Sequence, residues 1–210
     1  MRNFITQVYQ GKTIRRIAFN SKLEDYCHEF KGVVLDLGGK SSEGLKRFLP
    51  KNVKLITTDL IGGDNVDAVD LNQRLPYDND SMDIVTMFFV LYILENRERT
   101  LREIYRVLKP GGKLYLTSPF ISAEIPEPHD YCRLTYEGLD KAFRETGFSN
   151  ITIERMGGRA TSAVAIMHPY FVFNTVRLLV FPFSIFLDKL TRSLDVRHPV
   201  PHTYFCIVTK

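Results

Sequence analysis

Two apolar runs in this chain each end in an aspartate. Asp36 closes the run VVL and Asp59 closes LITT, and both runs are typical of buried strands. Parallel strands of an open α/β sheet end at one edge, and that carboxyl edge is where such sheets bind their ligands. The two runs therefore predict a pair of carboxylates at a ligand-binding edge.

The rest of the chain continues the alternation of strand and helix. Apolar runs predict strands at 33–37, in VKLITT, in VDAV, at 82–88, in KLYLTS, at 150–155 and at 203–209. Helical spacing predicts helices over 12–30 and 97–108, the second with Asn96 as its N-cap, and a further helix from Thr135 to Gly147. This alternation predicts a doubly wound α/β sheet.

Composition excludes several classes of protein. The chain has 210 residues and a net charge of +4 without any basic block of five residues, which argues against a nucleic-acid partner. Three distant cysteines, Cys27, Cys132 and Cys206, form no CxxC pair and so indicate neither a disulfide framework nor a zinc site. The N-terminus lacks the apolar core of a signal peptide, so we expect a cytoplasmic protein, with membrane association left open.

Four segments occur in a characteristic order: VVLDLGG, ITTDL, VDLNQRLPYDNDSMDIV and EIYRVLKPGGKLYL. In this order and spacing the chain resembles the class I S-adenosylmethionine-dependent methyltransferases, over roughly residues 32–155 and the last strand. The resemblance implies a methyltransferase with S-adenosyl-L-methionine as cofactor. It also implies a Rossmann-like, mostly parallel sheet of seven strands, whose last strand is antiparallel and follows an apolar helical insertion.

We expect a single methyltransferase domain over residues 1–210. Its parts are an N-terminal helical segment (1–31), a cofactor-binding core (32–155), an apolar insertion or lid (156–202) and a final strand (203–210).

The first part of the expected cofactor site is the turn after the first strand. Gly38 and Gly39 let the backbone turn sharply and approach a ligand, although an ordinary strand-to-helix turn would also use them. The resemblance places Asp36 beneath this loop, where it would orient the loop or the amino group of the cofactor. Relatives often carry further glycines where this chain has Lys40 and Ser42.

The second part of the expected site follows the next strands. Asp59, with Leu60 beside it, comes 21 residues after Gly38, the interval at which a carboxylate meets a ribose in nucleoside-binding units. By resemblance, Asp70 and Leu71 contact the adenine and Phe88 lines the methionine portion of the cofactor. A turn at Asp59, a loop at Asp70 and core packing of Phe88 are the alternatives.

The irregular segment after the fifth strand carries the candidate catalytic residues. In IPEPHDYCRLT, which resembles an element of relatives acting on sugars and other small acceptors, His129 is the candidate base and Asp130 its orienter or a substrate contact. In the alternative, His129 caps a turn and Asp130 pairs with Arg133. His198 and His202 are separated by prolines that preclude a shared helical face, so we predict no metal site.

The segment 160–187 is apolar on every side, but Pro169, Asn174, Arg177 and Pro182 interrupt it. A transmembrane span needs about 20 apolar residues, so a lid, a homodimer contact or a peripheral membrane contact is favoured over an anchor.

The sequence as a whole predicts a methyltransferase acting on a small molecule, with a hydroxyl of a sugar, glycan intermediate or lipid-linked metabolite as acceptor. Two alternatives remain. One is a non-catalytic or membrane-peripheral binding protein. This alternative is supported by Tyr92 and Ile93, which stand where relatives often carry Glu-His. The other is a nicotinamide-dependent oxidoreductase, disfavoured because the three-glycine fingerprint and a second half-domain are missing.

Overall fold

The computed structural model describes residues 2–39, 42–126 and 128–210, and in them seven β-strands alternate with eight α-helices. The strands are β1 (Val33–Leu37), β2 (Lys54–Asp59), β3 (Asp67–Ala68), β4 (Met82–Phe88), β5 (Leu108–Pro119), β6 (Ser149–Met156) and β7 (Thr203–Thr209). The helices are α1 (Arg2–Tyr9), α2 (Ile14–Tyr26), α3 (Ser42–Lys46), α4 (Arg97–Val107), α5 (Tyr136–Thr146), α6 (Arg159–Ile166), α7 (Asn174–Leu190) and α8 (Arg192–Arg197).

The strands form one sheet in the order β3-β2-β1-β4-β5-β7-β6. β1 pairs in parallel with β2 and β4, and the parallel pairs β2–β3 and β4–β5 extend the sheet on either side. β7 runs antiparallel to β5, and the Lys210 N–H donates to the Gly112 carbonyl while the Gly111 N–H donates to the Lys210 carbonyl, at 3.0 Å each. The expected doubly wound fold is confirmed, including the antiparallel last strand and the helical insertion before it.

The chain divides into two compact units. The helical unit comprises Met1–Leu23, Pro119–Glu124 and Arg155–Tyr204, and the sheet unit comprises Glu24–Ser118, Ile125–Glu154 and Phe205–Lys210. The core of the helical unit includes Val8, Ile14, Ile17, Val164 and Phe181. The expectation of a single domain stays a prediction.

Helix ends follow the expected local chemistry. The Asn96 side chain accepts the Arg99 N–H at 3.0 Å and caps α4, and the Thr135 hydroxyl accepts the Gly138 N–H at 3.1 Å and caps α5. Gly147 ends α5 in the left-handed conformation, at φ 105°.

Three boundaries differ from the sequence prediction. The N-terminal segment forms two helices, because Gly11 takes a left-handed conformation between them. β5 begins at Leu108, before the expected turn at PGG, since Leu108 pairs with Met82 of β4 and the backbone of Gly111 and Gly112 bonds to that of Lys210. Pro182 was expected to divide the apolar segment but lies inside α7, which continues past it.

Candidate active site

The turn after β1 requires glycine at two consecutive positions. Gly38 has φ +74°, and a Cβ there would lie 2.5 Å from Cγ2 of Val90. A Cβ on Gly39 would lie 2.1 Å from Oδ2 of Asp36. Any larger residue would therefore displace the loop from the ends of the strands. The adjoining Lys40 lies outside the described residues.

Asp36 is a buried carboxylate directly beneath this turn. Its side chain is 5% exposed, and its Oδ1 accepts a hydrogen bond from the Thr86 hydroxyl at 2.7 Å on the neighbouring strand. Burial raises the pKa of Asp36 to about 6, although the hydrogen bond from Thr86 opposes this rise. At neutral pH the site therefore holds a poorly solvated negative charge that a cationic group would stabilise.

Asp59 ends β2 at the same edge. It is partly exposed, and the Ile61 N–H points to its Oδ1 at 3.4 Å. Leu60, the next residue, is exposed to solvent. The carboxylate is thus placed where a ligand hydroxyl can reach it.

Asp70 and Leu71 have different environments. Asp70 is partly exposed, and its Oδ1 accepts the Asn72 N–H at 2.9 Å. This is the local loop geometry that the sequence analysis gave as the alternative to an adenine contact. Leu71 is buried, and its carbonyl accepts the Thr100 hydroxyl of α4 at 2.9 Å. The Leu71 side chain therefore contributes to the core, and only Asp70 of this pair has a partly exposed polar group.

Backbone hydrogen bonds connect these residues along the edge of the sheet. The Gly39 N–H donates to the Thr58 carbonyl at 2.9 Å, and the Val69 N–H donates to the Asp59 carbonyl at 2.8 Å. The glycine turn is thereby tied to the residue before Asp59, and Asp59 to the residue before Asp70. The structure brings the three predicted segments together at one edge.

The end of β4 contributes two aromatic residues with different roles. Phe88 stacks on Phe205 with ring centroids 6.3 Å apart, the core-packing arrangement that was its alternative. Phe89 has φ +59°, an unfavourable conformation for a bulky residue, and its N–H donates to the Thr117 hydroxyl at 3.0 Å. Because such strain is concentrated at functional sites, Phe89 is a further candidate residue of the site.

The loop that carries His129 is attached to the segment after β4. The Tyr131 N–H donates to the Tyr92 carbonyl at 2.9 Å, and the Arg133 guanidinium lies 4.7 Å from the centre of the Tyr92 ring. His129 is exposed and stacks on Tyr131, with 5.1 Å between ring centroids. The loop therefore presents an imidazole to solvent from a backbone anchored beside the carboxyl edge.

Asp130 forms contacts that stabilise this loop. Its carboxylate accepts the Ile125 N–H at 2.9 Å and forms an ion pair with Arg133 at 2.5 Å. This ion pair is the arrangement that the sequence analysis gave as the alternative to a substrate contact of Asp130. The catalytic role of His129, and any contact of Asp130 with a substrate, stay predictions.

Comparison with known proteins identifies the domain to which this edge belongs. A family profile described as a methyltransferase domain matches residues 34–116, the range that contains the glycine turn, Asp59 and Asp70. Residues 34–116 therefore form a methyltransferase domain, in agreement with the resemblance to the class I S-adenosylmethionine-dependent methyltransferases. The expected family is confirmed.

Curated relatives of the methyltransferase domain are ubiquinone/menaquinone biosynthesis C-methyltransferases named UbiE. The protein of Enterobacter sp. (strain 638) is 38% identical over 124 residues, covering 58% of this chain and 47% of the relative. That of Pseudoalteromonas translucida is 40% identical over 62 residues, covering 29% of this chain and 24% of the relative. The chain thus spans less than half the length of these two relatives.

Solved structures share the fold of the whole chain. A SAM-dependent methyltransferase from Archaeoglobus fulgidus superposes with a TM-score of 0.63 at 17% identity, covering 99% of both chains. Phosphoethanolamine N-methyltransferase 2 of Haemonchus contortus, solved with S-adenosyl-L-methionine, gives a TM-score of 0.60 at 16% identity, covering 91% of this chain and 52% of that one. At these identities the likeness concerns the fold alone.

The methyltransferase domain contains site features that the sequence analysis missed. Thr86 holds the Asp36 carboxylate, and Val90 lies against Gly38. Thr57 lies close to Gly39 through its methyl group, and its buried hydroxyl has no hydrogen-bond partner. The strand register that pairs Asp36 with Thr86 is a tertiary property that a single sequence does not display. The only feature of the sequence that indicates a role for Phe89 in the site is its position next to Phe88 at the end of a predicted strand.

Among the described residues, no group of three or more His, Cys, Asp or Glu side chains is arranged to hold a metal ion. None of the helices in the described part of the chain combines the length and the apolar character that crossing a bilayer requires.

Proposed function

We propose that this chain is an S-adenosyl-L-methionine-dependent methyltransferase that acts on a small-molecule acceptor, with a hydroxyl of a sugar, glycan intermediate or lipid-linked metabolite as the acceptor group. The observation that carries the proposal is the convergence of the Gly38–Gly39 turn, Asp59 and Asp70 at one sheet edge within the methyltransferase domain.

The residues at this edge fit the chemical parts of the cofactor. A Cβ on Gly38 or Gly39 would collide with Val90 or Asp36, so glycine keeps this turn directly over the buried carboxylate of Asp36, whose charge suits an ammonium group. Asp59 offers two acceptor oxygens to ribose hydroxyls, and Asp70 offers an acceptor to the exocyclic amine of adenine. When bound, the cofactor supplies an electrophilic methyl group on a sulfonium.

The protein mainly has to align the acceptor with that methyl group. Positioning of reactants can supply about 7–11 kcal/mol of the barrier reduction. His129 would take the proton of an acceptor hydroxyl as it attacks, a contribution of roughly 10²–10⁴-fold. Its exposed position on an anchored loop supports this role.

The names of the curated relatives favour a second acceptor class. Because they are C-methyltransferases of ubiquinone and menaquinone biosynthesis, a ring carbon of a quinone precursor is the alternative to a hydroxyl. Product analysis distinguishes the two, since an O-methyl and a C-methyl group differ in their carbon chemical shifts.

Calorimetric titration tests the cofactor assignment. We expect S-adenosyl-L-methionine to bind and NAD to give no heat, because the turn after β1 lacks the three-glycine pattern that binds a pyrophosphate. Asp59→Ala should weaken binding at least about tenfold, since losing hydrogen bonds to a charged group costs roughly 1.5–3 kcal/mol. Asp64→Ala, which removes an exposed carboxylate from the loop after β2, is the matched control and should retain affinity.

Two results would overturn this proposal. Tighter binding of NAD would favour the oxidoreductase alternative, and no binding of S-adenosyl-L-methionine would favour a non-catalytic protein. Unchanged affinity in Asp59→Ala would refute the ribose assignment alone.

A further inference from the structure

Helix α7 of the helical unit has an apolar face that is exposed to solvent. Leu179, Phe183, Phe186 and Leu190, spaced at three- and four-residue intervals, are 75%, 60%, 59% and 68% exposed. The opposite face is buried at Phe181 and Ser184, and Phe181 packs in the core of the unit. The helix is therefore apolar on both sides, but only one side is covered by the chain.

The exposed apolar surface continues into the residues before α7. Tyr170, Val172 and Phe173 are each more than 70% exposed. These seven large apolar side chains are 59–81% exposed within one short stretch, and an exposed apolar surface of this kind marks an interaction site.

The length of α7 suits a position along a membrane surface. Its 17 residues extend about 25 Å, less than the roughly 30 Å hydrocarbon thickness of a bilayer. Arg177, near its start, donates from Nε to the Phe171 carbonyl at 2.6 Å and so helps to fix the segment that enters the helix. A helix lying in the interface buries one apolar face by about 5–10 Å and needs no span.

Charge is distributed unevenly between the two units. The helical unit has 11 Lys and Arg against 3 Asp and Glu, a net charge of +8, whereas the sheet unit has 17 against 21, a net charge of −4. A strongly basic unit that also exposes an apolar helix face is complementary to a partner surface that is negatively charged and has an apolar interior.

Basic residues stand directly beyond the exposed face. Lys189, Arg192 and Arg197 are exposed at the end of α7 and in α8, and Arg197 lines a cleft with Arg159, Ser193 and His198. The acid in this stretch with a described side chain, Asp188, turns its carboxylate to the start of α6, where it accepts the Ala160 N–H at 2.7 Å. The chemistry of this region therefore suits phosphate groups.

We propose that the helical unit binds the surface of an anionic phospholipid membrane, with the exposed face of α7 inserted among the acyl chains and Lys189, Arg192 and Arg197 on the lipid phosphates. Each cation near such a surface is attracted by the negative potential of the lipid head groups. A second copy of the chain is disfavoured as the occupant because it would bring a unit of +8 against a unit of +8.

Vesicle flotation measures this interaction with the full chain. We expect binding to vesicles of phosphatidylcholine mixed with phosphatidylglycerol, and at least about tenfold weaker binding to phosphatidylcholine alone. Replacing both Leu179 and Phe186 by Gln should weaken binding at least about tenfold, because two apolar side chains no longer enter the lipid. Ile61→Gln removes an exposed apolar residue of the sheet unit and should bind as the unaltered chain does.

Fluorescence gives a second readout that does not depend on removing the apolar face. The chain contains no tryptophan, so Phe183→Trp introduces a single reporter. Its emission should shift to shorter wavelength with vesicles and be quenched by phospholipids brominated along the acyl chain, whereas Ile61→Trp should show neither change.

Three results would overturn the proposal. The first is equal binding to both vesicle types, and the second is indole emission of the Phe183→Trp variant that brominated lipids do not quench. The third is a dimer, seen by ultracentrifugation without vesicles, that the Leu179 and Phe186 substitutions dissociate. The last result would assign the face to a second copy of the chain. Vesicle binding requires no cofactor, so it stands or falls separately from the proposed methyl transfer.

Discussion

The buried carboxylate of Asp36 lowers the stability of the folded protein at neutral pH, and the same charge is the one assigned to the ammonium group of the cofactor. Its carboxyl ionises near pH 3.8 in the unfolded chain, whereas burial raises its pKa to about 6 in the folded protein. Between these values the folded state holds a proton that the unfolded state has released. The contribution of Asp36 to the free energy of unfolding therefore falls as the pH rises from about 4 to about 6, by roughly 3 kcal/mol in all.

Asp36→Asn should remove this dependence on pH. The amide oxygen can still accept the Thr86 hydroxyl, so the variant keeps the hydrogen bond but has no charge to bury. We expect the difference in free energy of unfolding between variant and unaltered chain, measured by urea titration, to favour the variant increasingly from pH 4 to pH 6 and then to level off.

The same substitution should weaken S-adenosyl-L-methionine binding at pH 7.5, because the partner of the ammonium group is lost. Asp64→Asn provides the control for a change of charge at an exposed position. A stability difference that stays constant between pH 4 and pH 6 would show that the Asp36 carboxyl is not desolvated as the structure indicates.

For the helices and strands, local chemistry could be predicted well from the sequence. Capping residues and glycine ends depend on neighbouring residues only, and Asn96, Thr135 and Gly147 occupy the expected positions. Properties that depend on partners far along the chain could not be predicted. The early start of β5 requires Met82 of β4, and the support of Asp36 requires the register that places Thr86 beside it.

The candidate site shows the same division between local and distant information. Alternating runs predicted which residues would end parallel strands, so Gly38, Asp59 and Asp70 lie at one edge as expected. The burial of Leu71 could not be predicted, because its carbonyl accepts the Thr100 hydroxyl of α4, a helix distant in sequence; its contact with the cofactor stays a prediction. The ion pair between Asp130 and Arg133 was foreseen only as an alternative, since its spacing of three residues suits either role.

The loop around His129 permits a test of the catalytic assignment. His129→Ala should lower turnover by roughly 10²–10⁴-fold with a hydroxyl acceptor while leaving cofactor affinity nearly unchanged, because the side chain is exposed and the backbone of the loop is held by Tyr92 and Asp130. Turnover is measured by transfer of labelled methyl groups, and affinity by calorimetry.

His28→Ala, at an exposed position in the turn after α2, is the matched control for loss of an imidazole. Equal loss of turnover and cofactor affinity in His129→Ala would mean that the histidine supports the loop and has no part in proton transfer.

Across the full chain, the two compact units carry different chemistry. The sheet unit holds the residues assigned to the cofactor and has a net negative charge, whereas the helical unit holds the apolar insertion and has a net positive charge. Residues 34–116, which match the methyltransferase family, lie entirely in the sheet unit. The helical unit, which carries the face proposed to bind a membrane, therefore lies outside the matched range.

Binding of one adenosyl sulfonium at one sheet edge underlies all of these assignments. A crystal structure of the chain with S-adenosylhomocysteine would show the edge occupied. We expect the ribose hydroxyls at Asp59, the adenine amine at Asp70 and the amino acid portion over the Gly38–Gly39 turn, close to Asp36. A nucleoside bound elsewhere, or one bound at this edge without contact to Asp59 and the glycine turn, would refute the assignment.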